Sequence, residues 1–138
     1  MKSSFYLLLL ITLFSISCNS VKYAEKDFTE FNSVLKKAQS NNEAWTASPV
    51  GIATKYHRTH NGANEFSLTQ IKKNRGESFD KVDLVLTSDG LLDDSVNGIK
   101  TKIRIVKKRG NWQVDKIEEA YKCAEGRGQS KWAGTHCE

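Results

Sequence analysis

Three cysteines, Cys18, Cys123 and Cys137, are the residues of this 138-residue chain best suited to covalent chemistry. Two of them close the tail YKCAEGRGQSKWAGTHCE, while Cys18 stands alone near the other end. In an oxidising compartment thiols pair, and an odd one left over needs its own explanation. Joining Cys123 to Cys137 would close a segment with three glycines and no hydrophobic period. Closing about 15 residues restricts the unfolded chain enough to contribute about 3 kcal/mol. Such a bridge reads first as a staple for a terminus with few apolar groups beyond Trp132, because exposed termini fray unless tied down. It reads alternatively as a stiffener for a recognition loop presenting Arg127, Lys131, Trp132 and His136. A metal set of Cys123, His136 and Cys137 ranks below both, since export favours the disulfide.

Other reactive side chains are sparser. His57 and His60 stand three apart beside Asn61-Gly62, with no third ligand at a metal-site spacing, and read as surface turn residues. Asp83 alternates with apolar neighbours and reads as a solvated strand charge, because carboxylates are rarely buried unpaired. The run from Ser88-Asp89-Gly90 to Asp93-Asp94 lacks the alternating oxygens and spaced glutamate of a calcium loop, so it reads as a solvated turn. Lys100, Lys102 and Arg104, followed by Lys107-Lys108-Arg109, form the densest basic feature. That pattern keeps a sheet face soluble and discourages edge pairing; its second reading is a surface for an anionic partner. No local motif assigns a catalytic role, a cofactor or a metal.

The first residues determine where these groups would work. MKSSFYLLLLITLFSISCNS places Lys2 before an apolar run from Phe5 to Phe14 that only Thr12 interrupts. The run is shorter than the roughly 20 residues needed to span a bilayer, and it has the order of a secretory signal. Ser15-Ile16-Ser17 suits ordinary signal peptidase, and with Cys18 it also resembles a bacterial lipobox. That resemblance implies a signal peptide over 1–17, a palmitate-type lipid anchor on Cys18, a lipidated tether over 18–24 and one domain over 25–138 with its tail closed from 123 to 137. Each buried acyl methylene contributes about 0.8 kcal/mol, so several chains make a lasting attachment. Asn19 stands where an aspartate would signal inner-membrane retention, so the resemblance implies the outer membrane if the envelope is diderm. A periplasmic or secreted form is the alternative. Removing 1–17 leaves 121 residues (138 less 17) with 20 Lys and Arg (21 less Lys2) against 16 Asp and Glu. So small an excess does not argue for nucleic acid, though it allows attraction to anionic envelope surfaces.

Hydrophobic period supplies the elements that must hold these residues. Tyr23, Ala24, Phe28, Phe31, Val34, Leu35 and Ala38 recur at threes and fours, predicting an amphipathic helix between Val21 and Ala38. After Pro49 the pattern alternates through Val50, Ile52, Thr54 and Tyr56, predicting a strand that turns at His60-Asn61-Gly62. Further strands are expected at 65–72, 81–86, 99–105 and from Trp112 to about Tyr121, with turns at Asn74-Arg75-Gly76 and Arg109-Gly110-Asn111. The slip in phase between Phe66-Leu68 and Ile71 predicts a bulge in the first of these.

One helix followed by about five hairpin-joined strands resembles the cystatin-like cone, especially small exported members of the nuclear transport factor 2-like superfamily. The pair KTKIRIVKKRGNWQVDKIE is similar to their terminal hairpin, whose tryptophan packs inward. The resemblance implies an α+β fold, an N-terminal helix on a curved antiparallel sheet of about five strands, with a C-terminal disulfide loop. No known activity comes with the resemblance; the function class favoured is a cell-envelope lipoprotein that binds or assists without catalysing, holding an envelope protein or anionic partner. Immunity to a toxin or inhibition of an enzyme would be special cases. The alternative is a small isomerase or dehydratase with its site in the cone.

Overall fold

The computed structural model describes residues 20–73 and 79–138, with the backbone alone for 70–73. Residues 1–17, Cys18 and the turn expected at Asn74-Arg75-Gly76 lie outside the described residues. The order is β1 (Ala24–Lys26), α1 (Thr29–Ser40), a short 3-10 turn (Ala44–Ala47), α2 (Pro49–Asn61), β2 (Ser67–Lys73), β3 (Lys81–Asp89), β4 (Val96–Lys108) and β5 (Asn111–Cys123). All five strands form one open antiparallel sheet in the order β1-β5-β4-β3-β2, and both helices pack on it.

The predicted first helix is shorter than its stripe. Asp27 accepts hydrogen bonds from the Thr29 amide at 2.8 Å and hydroxyl at 2.7 Å, so the chain bends there and the helix starts after it. Upstream of that bend, Ala24–Lys26 pairs with Ile117–Glu119 as a strand. Phe31, Leu35 and Ala38 are buried as expected, but Val34 stays half exposed at 50%.

The segment after Pro49 is a helix, which corrects the strand expected there. Ser48 accepts the Gly51 amide at 3.1 Å as an N-cap, Pro49 occupies the first turn, and Gly62 ends the helix at φ 62°. Burial follows the helical period through Pro49, Ile52, Ala53, Tyr56 and His57, whereas Val50 is 44% exposed. Of the alternating positions, Ile52 and Tyr56 fit either period while Val50 and Thr54 fit only a strand, and here the caps and the long-range packing decide. His60-Asn61-Gly62 is therefore a helix C-terminus, and no hairpin turn forms there.

The strands of the second half fall close to where alternation places them. Arg109 and Gly110, at φ 52° and 87°, form the two-residue turn joining β4 to β5, where only a left-handed backbone matches the strand twist. The predicted irregularity in β2 is a register shift between Gln70 and Lys72. A second shift opposite Arg104/Ile105 changes the phase of β5, so Trp112 and Val114 share a face with Ile117, Glu119 and Tyr121. Helix and sheet enclose a core of Phe31, Leu35, Ile52, Tyr56, Leu84, Leu86, Ile103, Ile105 and Ile117, every one under 5% exposed. Trp112 points inward, at 8% exposed.

The other sheet face carries the alternate residues. There Lys102 pairs with Glu118 at 3.5 Å, Arg104 with Asp83 at 2.7 Å and Lys122 with Asp89 at 3.0 Å.

Candidate functional site

α2 ends over β3 and β4, and this brings its polar residues against Ser88, Thr101 and Glu119 on the inner sheet face. His57 is fully buried at 0% exposure, which corrects its expected place on a surface turn. Its Nδ1 lies 2.9 Å from Thr101 Oγ1 on β4, and its Nε2 lies 2.9 Å from Ser88 Oγ on β3. The Ser88 hydroxyl donates to the Glu65 carbonyl at 2.6 Å, so its oxygen accepts from Nε2–H. Nδ1 is then the acceptor, facing the Thr101 hydroxyl. Burial, opposed by the nearby Glu119 charge, pulls the His57 pKa down to about 4, so the ring is neutral over the physiological range.

The network continues outward through Asn61, one turn along the helix from His57. Its amide nitrogen donates to Thr101 Oγ1 at 2.9 Å and to Glu119 Oε1 at 3.2 Å. Glu119 is 2% exposed, a buried carboxylate that needs partners. It accepts the Tyr121 hydroxyl at 2.7 Å, and the Lys26 ammonium stands 3.7 Å away. Lys26 also donates to the Tyr121 oxygen at 3.0 Å. Burial, then the hydrogen bond and charge of Glu119, raise the Tyr121 pKa; burial and the same charge raise that of Tyr56. Among the described residues, no buried side-chain nitrogen or oxygen is left without a partner.

The outer end of this network opens into a cleft of about 760 Å³. Lys26, Asn61, Glu119 and Tyr121 supply a polar wall, and Leu91, Val96 and Ile99 an apolar one. Tyr56 and His60 stack at 4.2 Å on a third side. Leu92 is fully exposed beside the cleft at 106%. The tail reaches the rim through His136 and Cys137, the latter bonded to Cys123 with Cα atoms 5.5 Å apart.

The residues singled out by sequence are distributed differently. His57 and His60 are both on α2, but one is buried inward while the other is exposed, so they do not form a ligand pair. Among the described residues, no three His, Cys, Asp or Glu side chains converge on a metal-sized site. Asp83 is buried to 6%, against the expectation of a solvated charge. Arg104 reaches both its carboxylate oxygens, at 2.7 and 3.1 Å; although burial opposes it, this contact holds the Asp83 pKa below the usual carboxylate value. Asp93 is exposed and caps its own turn by accepting the amides of Ser95 and Val96. Lys100 lies 4.5 Å from the Trp132 ring, so the basic face and the disulfide loop meet there. Arg127 and Lys131 are exposed, and Trp132 is half-buried with its ring against Gly98.

Sequence reasoning missed Glu119, Tyr121, Asn61, Thr101, Ser88 and Lys26. The available signal was Glu119 lying in phase between Ile117 and Tyr121, and it carries meaning only once the β5 bulge is known. No family model, curated protein or solved structure matches the chain.

Proposed function

We propose that the protein is an exported lipoprotein of the bacterial cell envelope, anchored through Cys18, whose domain binds a ligand at the cleft and does not transform it. One observation carries the binding reading. The interior titratable groups, His57 and Glu119, already spend their polar atoms on partners within the chain. A general base must be free to reach a proton on its substrate, and a buried neutral imidazole engaged at both nitrogens is not. Space between helices and sheet is filled by Ile52, Leu84 and Ile103 at 0–1% exposure, which agrees with a filled cystatin-like cone better than a hollow one. Ligand therefore meets the open cleft beside Tyr121, where polar, apolar and aromatic walls face one another. Immunity to a toxin or inhibition of an envelope enzyme fits the same geometry.

A second reading, a small enzyme of the isomerase or dehydratase type, rests on Glu119 lining the cleft beside a tyrosine hydroxyl. Nitrogen-15 NMR of the histidines separates the two. The binding reading expects His57 to stay neutral, protonated on Nε2, until about pH 4; a His57 that titrates near neutrality would favour the enzyme. The anchor is read independently by fatty-acid labelling. Label should enter the wild-type chain and be lost in Cys18→Ala, and label retained by the variant refutes attachment at that thiol.

A further inference from the structure

On the side of the molecule where the described chain begins, a groove of about 560 Å³ runs between the first residues and the tail. Val21 and Trp132 are among its walls, and every ionisable residue lining it is a lysine: Lys22, Lys122 and Lys131. Lys122 shares its charge with Asp89 at 3.0 Å, while Lys22 and Lys131 have no ion pair among the described residues. Lys100 adds another ammonium 4.5 Å from the centre of the Trp132 ring. The groove is braced from below. Tyr121 and Ala133 exchange backbone hydrogen bonds at 2.7 and 3.0 Å, and Gly134 sits so close to the first strand that a Cβ there would lie 2.6 Å from the Ala24 nitrogen.

We infer that this lysine-lined groove is the face with which the domain rests on a bilayer of anionic phospholipid. The inference rests on the anchor proposed above and adds to it an orientation and a headgroup chemistry. Consecutive Cα atoms are 3.8 Å apart, so the Cα of a lipid-bearing residue 18 lies at most about 7.6 Å from that of Ser20. That is less than a Debye length, about 8–10 Å at physiological salt, so lysines beside Ser20 feel the surface potential without effective screening. A lysine near an anionic leaflet contributes about 1 kcal/mol, equivalent to about fivefold in partition. Trp132 supplies the amphipathic ring that suits the headgroup level. Bilayer docking on this face leaves the cleft at Tyr121 lined by other residues and open to its ligand, since the two share no lining residue.

The test uses the processed, acylated protein in phosphatidylcholine vesicles with and without phosphatidylglycerol, reading the rate at which each lysine reacts with an amine label. Lys22 and Lys131 should react about fivefold more slowly in the anionic vesicles, and high salt should abolish the difference. Lys36 and Lys108, which line a separate groove by α1, serve as internal controls and should not change. The double variant Lys22→Glu, Lys131→Glu alters exposed side chains only; it should melt like the wild type and release the remaining face lysine, Lys122, from protection. Equal labelling of Lys22 and Lys131 in the two kinds of vesicle overturns the inference, as does slowing of the controls to the same degree. Flotation with neutral vesicles reports the anchor alone, so a failed anchor and a failed face give different results.

Discussion

His57 is the residue whose chemistry most depends on its surroundings. Free in water it would be half protonated near pH 6.5, but burial holds its pKa at about 4 in the fold. The folded state therefore binds fewer protons than the unfolded chain between those two values, and stability falls as the pH drops through that window. A shift of this size corresponds to roughly 3 kcal/mol at its acid limit. Melting curves should accordingly drop in temperature from pH 6.5 to pH 4, and His57→Gln should flatten that part of the profile. A wild-type melting temperature constant across the window would contradict the buried neutral ring. Asp83 acts in the same direction at more acid pH. Its pKa is depressed by Arg104, so its stabilisation is present above the ordinary carboxylate value and is lost at more acid pH. Replacing Arg104 by Met leaves that nearly buried carboxylate without its bidentate partner and should cost about 3 kcal/mol in chemical denaturation. A loss below about 1 kcal/mol would place the pair among ordinary surface bridges.

Among the elements, α1 has a second task besides covering the core. β1 is three residues long and covers Ile117–Glu119 of the β5 edge, the tail covers Tyr121 by way of Ala133, and the stretch around Trp112 and Val114 has no strand beside it among the described residues. Asn32 fills one place in that row, donating to the Val114 carbonyl at 2.8 Å and accepting its amide at 3.0 Å, while Gln39 donates to the Trp112 carbonyl at 2.7 Å. A helix side chain thus stands in for a strand and hides an edge that would otherwise template pairing between molecules. Asn32→Ala should lower stability by about 1–3 kcal/mol and raise self-association, measurable by sedimentation; an equally stable monomeric variant would show that the edge needs no cover. The N-terminus of α2 offers a cleaner test of why that segment is helical. Ser48→Ala removes the cap and should cost about 1 kcal/mol, with circular dichroism reporting the helix. β4 and β5 were legible in sequence because Ile99, Thr101, Ile103 and Ile105 alternate up to an Arg-Gly turn and Trp112 and Val114 alternate just after it, although the phase of β5 shifts before Ile117. α2 was not, because Ile52 and Tyr56 belong to both the alternating set and the helical stripe, and the deciding Ser48, Pro49 and Gly62 flank the run.

For the whole molecule, the disulfide is the feature with the largest reach. Cys123 and Cys137 enclose a tail with little apolar content, yet that tail reaches the rim of the cleft and supplies one side of the lysine groove. Reduction should therefore lower the melting temperature by about 10 °C and loosen both places together, which hydrogen exchange at Tyr121 and Ala133 would report. Unchanged melting on reduction would leave the bridge with no part in stability. By itself the sequence determined the α+β class, the strands of the second half and the reason for two cysteines to pair, because period, turn residues and sulfur chemistry are local properties; the inward Trp112 was implied by the resemblance of the terminal hairpin. The expected export and acylation of Cys18 rest on residues outside the described part of the chain. Only the tertiary structure decided that His57 is buried, that Asp83 faces Arg104, and that Glu119 joins Asn61, Tyr121 and Lys26. Those partners are separated by 2 to 95 positions along the chain. Burial and hydrogen bonding, which set their chemistry, come into being only when distant segments meet in space.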